Sequence, residues 1–271
     1  MPYEWPPLVA GDPVKIARRV AAVLEDAWQR LAAQQRAVLS QFADNPRTPH
    51  TVATLEEFKQ AIRAFRQRVD QEAQQFVQRQ LPHLYAAGAQ SAAEALDVTF
   101  TWTTSHRDAL QSLAADSYAD FLRRSQEAER MANQFYRAAR EAARREVALL
   151  AAGNMTAMQA AQNLAARLTA EHKLTHVVYR NGARVPVRAW AEAATLAKSA
   201  VAYNAGTLNR TRQAGVTMVE VFDGLDCGWT AHQDTDKANR TVRTVEDAAG
   251  WPISHPRCRR AFGPRPDLTS V

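Results

Sequence analysis

Apolar residues recur every three to four positions through most of the N-terminal part of the chain, which is the spacing of amphipathic helices. The first two apolar stripes consist of Ile16, Val20, Val23, Leu24, Trp28 and Leu31, and of Phe58, Ile62, Phe65, Val69 and Phe76. A stretch with two prolines separates them, and Thr54 with Glu57 has the spacing of a capping box that begins the second helix. Pro82 and Gly88 predict a bend or a split before this helix ends near Leu96.

A third stripe predicts another long helix, and its apolar members are Leu110, Leu113, Tyr118, Phe121 and Leu122. Ser105 with Asp108 has the pattern of an N-cap pair at its start, and the Ala-, Arg- and Glu-rich text that follows favours many further turns. Gly153 is placed to end this helix. Thr156 with Gln159 predicts the capping box of the next one.

Three segments have patterns typical of β-structure or of turns. The segment VTFTWTT at 98–104 is compatible with a short strand or with a loop that packs its aromatic side chains. Two β-rich runs flank the Asn-Gly dipeptide at 181–182, which predicts a tight hairpin because both central residues of a type I′ turn need positive φ. A helix over roughly 188–214 then ends at Gly215, and the alternation in 216–224 predicts a strand.

The change of pattern near residue 172 predicts the domain organisation. Residues 1–172 are expected to form a long-helix N-terminal region, with a proline-rich extended arm at 1–13. Residues 173–271 are expected to form a small α+β module that contains a Cys/His turn. The predicted fold class is therefore α+β, with a predominantly α-helical N-terminal region.

Composition narrows the range of functions. The chain has 271 residues, 34 basic against 28 acidic side chains and a net charge of +6. No window approaches the eighteen or so apolar residues of a membrane span, and the start lacks the pattern of a signal peptide. Two cysteines do not make a disulfide framework, which favours a reducing cytosol. The excess of arginine is compatible with a solvated surface or with phosphate contacts.

Both cysteines of the chain belong to a pattern with metal-ligand spacing. Cys227 and His232 form a C-x4-H pair, His255 and Cys258 form an H-x2-C pair, and 22 residues join the two pairs. Zinc favours four ligands from thiolate sulfur and imidazole nitrogen, so these residues are candidate ligands of a structural zinc ion. The alternative is two buried thiols and two surface histidines held by packing alone.

A catalytic metal site is a further alternative. Carboxylates close to histidine can build a hydrolytic centre, and the aspartates near His232 are Asp223, Asp226, Asp234 and Asp236. Aspartates in loops after strands more often cap and turn the backbone. The chain contains no phosphate-binding glycine loop and no nucleophile elbow. The other histidines are interpreted as structural or exposed, and they are His50, His83, His106, His172 and His176.

The C-terminal text resembles the C-terminal domain of the MuF-like minor head proteins of tailed bacteriophages. Members have a short hairpin, an Ala-rich helix, a strand ending in Asp, a cysteine-containing turn and a final HPxC motif. Here these are Arg180 to Val187, Trp190 to Gly215, Val216 to Asp223, Cys227, and His255 to Cys258. Many members carry two more cysteines, at positions that hold Thr230 and Arg260 in this chain, where His232 offers a substitute ligand.

This resemblance implies an assembly function without enzymatic turnover. Such a protein would be a minor capsid component at the portal vertex of the virion head, assembled in the host cytoplasm. It would contact the portal protein, the capsid or a scaffold, and would have no membrane or small-molecule partner. The basic excess suits non-specific contact with packaged DNA, and the candidate contacts are Arg243, Arg257, Arg259 and Arg260. The alternative function is a metal-dependent nuclease or protease that uses His232, His255 and the nearby aspartates.

Overall fold

The fold is α+β, mostly helical, with a small antiparallel sheet near the C-terminus, and this confirms the predicted class. A computed structural model describes residues 13–44, 49–151, 156–172, 174, 177–178 and 183–268. The helices are α1 (Pro13–Asp44), α2 (Pro49–Gln75), α3 (Leu81–Ala95), α4 (Thr104–Ala151), α5 (Ala157–Glu171), α6 (Val187–Gln213) and α7 (Val245–Gly250). The strands are β1 (Val177–Val178), β2 (Arg184–Val185), β3 (Met218–Phe222), β4 (Val242–Thr244) and β5 (Ala261–Pro264).

The apolar stripes predicted the helices correctly, but some predicted caps were wrong. Helix α2 begins at Pro49, so Thr54 lies inside the helix and does not cap it. Proline is well suited to a first helical turn because the N–H it lacks would have no partner there. Helix α4 begins at Thr104, so Ser105 is already helical. The capping box of α5 is confirmed, since Thr156 Oγ1 accepts a hydrogen bond from the Gln159 N–H.

A π-helical turn over Phe76–Gln80 separates α2 from α3. Pro82 follows this turn in the first turn of α3. Proline lacks an N–H and its ring crowds the carbonyl four residues earlier, so the wider turn accommodates it without ending the helical path. The predicted split therefore takes the form of a π-turn, whereas Gly88 lies within α3 and does not break it.

The segment between α3 and α4 is a loop that packs aromatic side chains, the second of the two predicted possibilities. The ring of Trp102 stacks on that of Tyr85 with centroids 5.8 Å apart. The ring of Phe100 meets His106 edge to face at 5.1 Å.

The C-terminal part contains the predicted hairpin, helix and strand. Strands β1 and β2 pair antiparallel, while the Asn-Gly turn that joins them lies outside the described residues, as does Gly153. Helix α6 is followed by Gly215 with φ of 77°, a left-handed conformation that glycine adopts without steric cost. The three-stranded sheet has the order β4-β3-β5, with both pairings antiparallel.

The chain divides into two compact units. Unit 1 comprises Met1–Val20, Gln74–Ala119 and Ala191–Val271, and unit 2 comprises Ala21–Ala73 and Asp120–Trp190. Neither unit is a continuous stretch, because α1, α2, α4 and α6 contribute residues to both.

The predicted domain boundary near residue 172 falls within unit 2, and the division into 1–172 and 173–271 stays a prediction. The hairpin of β1 and β2 belongs to unit 2, whereas the three-stranded sheet belongs to unit 1.

Aromatic side chains form much of the core of unit 2. The rings of Trp28 and Phe65 meet edge to face with centroids 5.5 Å apart, and those of Phe58 and Phe135 at 5.1 Å. The indole N–H of Trp28 donates to the carbonyl oxygen of Leu174 at 2.9 Å. This bond satisfies the polar end of a large buried ring, and it ties Leu174, three residues beyond the end of α5, to α1.

The core of unit 1 lies beneath its sheet. One cluster of buried side chains comprises Leu208, Val219, Val221, Trp229, Ala238, Val245, Ala248 and Phe262. Strand β5 contacts α3, and α7 contacts β3 and β4. Strand β3 and the loops that follow it therefore pack against this buried cluster.

Helices α3 and α6 approach closely within unit 1 at two glycines. A Cβ added to Gly88 would lie 1.9 Å from the carbonyl oxygen of Tyr203, and one added to Gly206 would lie 2.0 Å from that of Tyr85. The hydroxyl of Thr207 donates to the carbonyl oxygen of Gly88 at 3.1 Å. Gly88, predicted as a helix breaker, therefore serves as a contact point between two helix backbones.

A buried polar network joins α3, α4 and α6. The amide of Asn209 donates to the hydroxyl of Tyr85 at 2.8 Å, and this hydroxyl lies 2.8 Å from Nδ1 of His106. Nε2 of His106 lies 3.1 Å from Oε1 of Gln213. The pattern fits a neutral imidazole that donates through Nε2 and accepts through Nδ1. His106, predicted only as structural or exposed, is thus a buried structural histidine.

We expect His106 to make the stability of the protein depend on pH. Burial, with a contribution from the Arg210 charge, lowers its pKa, although Gln213 opposes the shift. The unfolded chain therefore binds a proton on this side chain at higher pH than the folded chain does. Stability is fully present above the unfolded pKa of about 6.5 and is lost as the pH falls below it. Urea denaturation between about pH 7.5 and about pH 5 should show a shallower pH dependence for His106→Gln. Equal pH slopes in the two proteins would contradict this role.

Candidate metal centre

The first half of the site is the turn that follows β3. The sheet strand ends at Phe222, and Asp223 follows it directly. The N–H of Cys227 donates to the carbonyl oxygen of Gly224 at 3.0 Å, which closes a tight turn with the cysteine at its last position. The carbonyl oxygen of Cys227 accepts from the N–H of Ala238 at 3.0 Å, so the turn is also held from the far side of the loop.

The second half of the site is a similar turn between α7 and β5. The N–H of Cys258 donates to the carbonyl oxygen of His255 at 2.9 Å. The buried amide of Asn204, on α6, donates to the carbonyl oxygens of Pro252 and Arg260 at 2.8 Å each. One side chain of α6 therefore holds the backbone on both sides of the turn.

The two turns bring three of the four predicted ligands together. The possible ligand atoms of Cys227, His255 and Cys258 all lie within 4.8 Å of one another, so this group can hold a metal ion. Sγ of Cys227 and Nε2 of His255 are 3.4 Å apart. Both sulfurs are buried, and His255 is partly exposed.

His232, the fourth predicted ligand, lies beside this group but does not belong to it. Its ring meets that of His255 edge to face with centroids 4.8 Å apart, and its side chain is exposed. Neither of its ring nitrogens belongs to the group of ligand atoms that lie within 4.8 Å of one another.

The electrostatics of the site favour the neutral forms of Cys227 and His255. Burial raises the pKa of the Cys227 thiol to about 11, and Asp223 and Cys258 add to the effect. Burial and the neighbouring His232 lower the pKa of His255. A neutral imidazole has the free lone pair that a metal requires, whereas a thiol must release its proton on binding. Two thiols and an imidazole are a donor set that suits zinc.

A buried ion pair forms the base of the site. The guanidinium of Arg260 donates to the carboxylate of Asp223 at 2.8 Å, and both side chains are fully buried. It also donates to three backbone carbonyl oxygens, those of Gly228, Trp229 and Trp251. One side chain thus joins both turns, and the remaining oxygen of Asp223 lies 3.2 Å from Sγ of Cys258.

The prediction that Arg260 contacts nucleic acid is therefore wrong, because its charged group is buried and its donors are occupied. Sequence reasoning missed the pair, although a signal was present. Phe222 is paired with Ala261 in the ladder of β3 and β5, so Asp223 and Arg260 stand at the next register position with opposite charges.

The three other predicted DNA-contacting arginines lie nearer the surface. Arg243 packs over the ring of Trp229 at 4.6 Å and pairs with Asp236 at 2.9 Å. Arg257 and Arg259 are exposed, and neither forms an ion pair with another residue in the part of the chain that the structure describes. Their contact with nucleic acid stays a prediction.

The aspartates around the site are engaged in structural contacts. The carboxylate of Asp234 accepts hydrogen bonds from the Thr230 hydroxyl and from the N–H groups of Asp236 and Thr230, and these bonds lower its pKa. Asp236 pairs with Arg243, and an Asp226 carboxylate oxygen lies 4.0 Å from Nζ of Lys237. These contacts agree with the capping and turn chemistry expected of aspartates in loops.

Comparisons with known proteins identified no relative of this chain. No protein-family model matches this chain, and neither a curated protein nor a solved structure gives a significant match. Fold and site define an α+β protein with a Cys-His-Cys group that can hold a metal ion. Within the described ranges, no helix combines the length and the apolar character that crossing a membrane requires.

Proposed function

We propose that this chain is a MuF-like minor capsid protein of a tailed phage, with a structural role in head morphogenesis at the portal vertex. The observation that carries the proposal is that two turns of the segment resembling MuF-like proteins lie next to each other in space. The Cys227 turn and the HPxC turn, thirty residues apart in sequence, converge on one cluster within 4.8 Å. The preceding helix and strand have the order that the resemblance predicts.

The metal of this site is a structural zinc ion. Cys227, His255 and Cys258 supply three donors of the preferred types, and His232 is the candidate for the fourth. When bound, zinc would cross-link two loops that are otherwise joined by Arg260 and Asp223. The fully buried ion pair at the base favours a structural site, since it leaves no room for a substrate on that side.

Catalysis by this site is the alternative function, and one observation favours it. The exposed imidazole of His232 next to a three-ligand group is an arrangement in which a metal could keep an open position. The neighbouring carboxylates argue against a hydrolase, because Asp223, Asp234 and Asp236 are already bound to other groups.

The partners follow from this assignment. The portal protein, the capsid or a scaffold would contact the long helices. Packaged DNA would meet Arg257 and Arg259, whose side chains are exposed next to the metal site. Such contacts would neutralise phosphates without reading sequence and would weaken as salt concentration rises.

We expect the purified chain to bind about one zinc ion, and Cys227→Ser or Cys258→Ser to abolish this binding. Each change removes a thiolate donor, whereas His232→Ala removes the outermost ligand and should weaken binding less. Zinc content by mass spectrometry and the rise of the melting temperature on zinc addition measure the effect. His83→Ala, a partly buried histidine of α3, is the matched control and should bind zinc as the parent does. Zinc binding by the two serine variants at the level of the parent chain would refute the site.

The assembly function predicts that a portal-protein gene adjoins the gene of this chain, and co-expression of the two proteins tests it. We expect the two proteins to co-purify as a complex that survives size-exclusion chromatography. The purified chain should cut neither DNA nor peptides. Cleavage that a chelator abolishes and that His255→Ala removes would support the hydrolase instead, and absence of any portal complex would count against the assembly role.

A further inference from the structure

The two cysteines of the chain are close neighbours in space. Their sulfur atoms lie within 4.8 Å of each other, although thirty residues separate them in sequence. Both are free thiols, and their residues are 7% and 6% exposed. The chain has no other cysteine with which either could pair.

We propose that Cys227 and Cys258 are also a covalent modification site: without metal, a low-molecular-weight disulfide oxidises them to an intramolecular disulfide. The disulfide and the metal exclude each other, and this second part rests on the metal site of the proposed function. The same two sulfurs would then have two alternative cross-linked states, one through a metal ion and one through a direct bond.

The two sulfurs are near enough for the bond to require a short approach of one to the other. A disulfide needs its sulfurs about 2.05 Å apart. The two sulfurs, which now lie within 4.8 Å of each other, would have to approach until they reach that distance. Each cysteine ends a tight turn outside the strand ladders, and its side chain can rotate without breaking a pairing of the sheet. The Arg260–Asp223 pair holds the two turns near each other whether or not a metal is bound.

The reaction balances as two thiol–disulfide exchanges. The thiolate of one cysteine attacks the reagent's disulfide, which forms a mixed disulfide and releases one reagent thiol. The second cysteine then attacks its neighbour's sulfur, which releases the other reagent thiol and closes the protein disulfide. The protein loses two electrons and two protons, and the reagent gains both. The second sulfur lies within 4.8 Å of the first, and this proximity favours closure over a stable adduct.

A bound metal would prevent this reaction. A thiolate that coordinates zinc shares its lone pair with the cation and is a weaker nucleophile than a free thiolate. In the disulfide, conversely, the sulfurs carry no negative charge and no longer suit zinc. The state of the site would therefore depend on which is present, metal or oxidant.

The test uses the full chain, stripped with a chelator and incubated with oxidised glutathione. We expect both free thiols to be lost together, with a mass decrease of two hydrogens. Tryptic mapping without reductant should yield one linked pair of peptides that contain Cys227 and Cys258. A glutathione adduct that persists on either cysteine, or covalent dimers in place of the internal bond, would overturn the proposal.

Two comparisons separate this proposal from the metal assignment. Cys227→Ser and Cys258→Ser should each keep one thiol and form no internal bond, and zinc-loaded protein should retain both thiols under the same oxidant. If zinc binds but gives no protection, the mutual exclusion is wrong. If the disulfide forms in a chain that binds no zinc, the modification site stands and the metal assignment fails.

Discussion

Replacement of Arg260 by alanine is expected to lower the free energy of unfolding by about 3 to 5 kcal/mol. The change leaves the carboxylate of Asp223 buried without its partner, since both side chains are fully buried in the folded protein. It also removes the donor that three backbone carbonyl oxygens share. Urea denaturation followed by circular dichroism measures the loss, and the C-terminal loops should become protease-sensitive first.

Arg259→Ala is the matched control for this experiment. Its side chain is exposed and adjoins Arg260, so its removal should change stability by no more than about 0.5 kcal/mol. A double change, Asp223→Asn with Arg260→Met, should recover part of the loss because it leaves no buried charge. Equal stability of Arg260→Ala and Arg259→Ala would show that the buried pair does not hold the site together.

The second large effect is expected from Gly88→Ala, which should destabilise the protein by about 3 kcal/mol, the upper end for overpacking. The new methyl group would lie 1.9 Å from the backbone oxygen of Tyr203, and backbone cannot rotate away as a side chain can. Helices α3 and α6 would have to separate, which also breaks the bond from Thr207 to the Gly88 carbonyl. Chemical denaturation measures the change.

Gly250→Ala is the matched control, and its effect on stability should be absent or opposite in sign to that of Gly88→Ala. Apart from its chain neighbours and the backbone of its own helix, no heavy atom lies within 4 Å of where its Cβ would be, so this change should be neutral or stabilise by up to about 1 kcal/mol. Intrinsic helix propensity alone would make both substitutions favourable. If Gly88→Ala were also neutral or stabilising, the close approach of α3 and α6 would be absent in solution.

The helices could be predicted from apolar spacing because each long helix buries one continuous stripe. Caps were predicted less well, since a Thr-x-x-Glu pattern such as Thr54 with Glu57 also occurs inside helices. The box at Thr156 and Gln159 was correct, and there the helix does begin after a break. Proline predicted the disturbance near residue 82, but whether the helix would kink, stop or widen depended on its packing.

The candidate ligands could be proposed from sequence because two short pairs contained every cysteine of the chain. Sequence spacing did not reveal that His232 would remain exposed while the other three converge. It also treated all four arginines alike, although Arg260 is buried and Arg259 is exposed. Charge alone does not distinguish a surface arginine from one that satisfies a buried carboxylate.

Local patterns were sufficient for the class of fold, for most helices and for three candidate ligands that meet in space, because periodicity and short-range spacing are properties of neighbouring residues. Packing between distant segments decided the rest: the division into units, the contact at Gly88, the network around His106 and the pairing of Arg260 with Asp223. These features depend on contacts across tens of residues, and their energies exist only once the chain has folded.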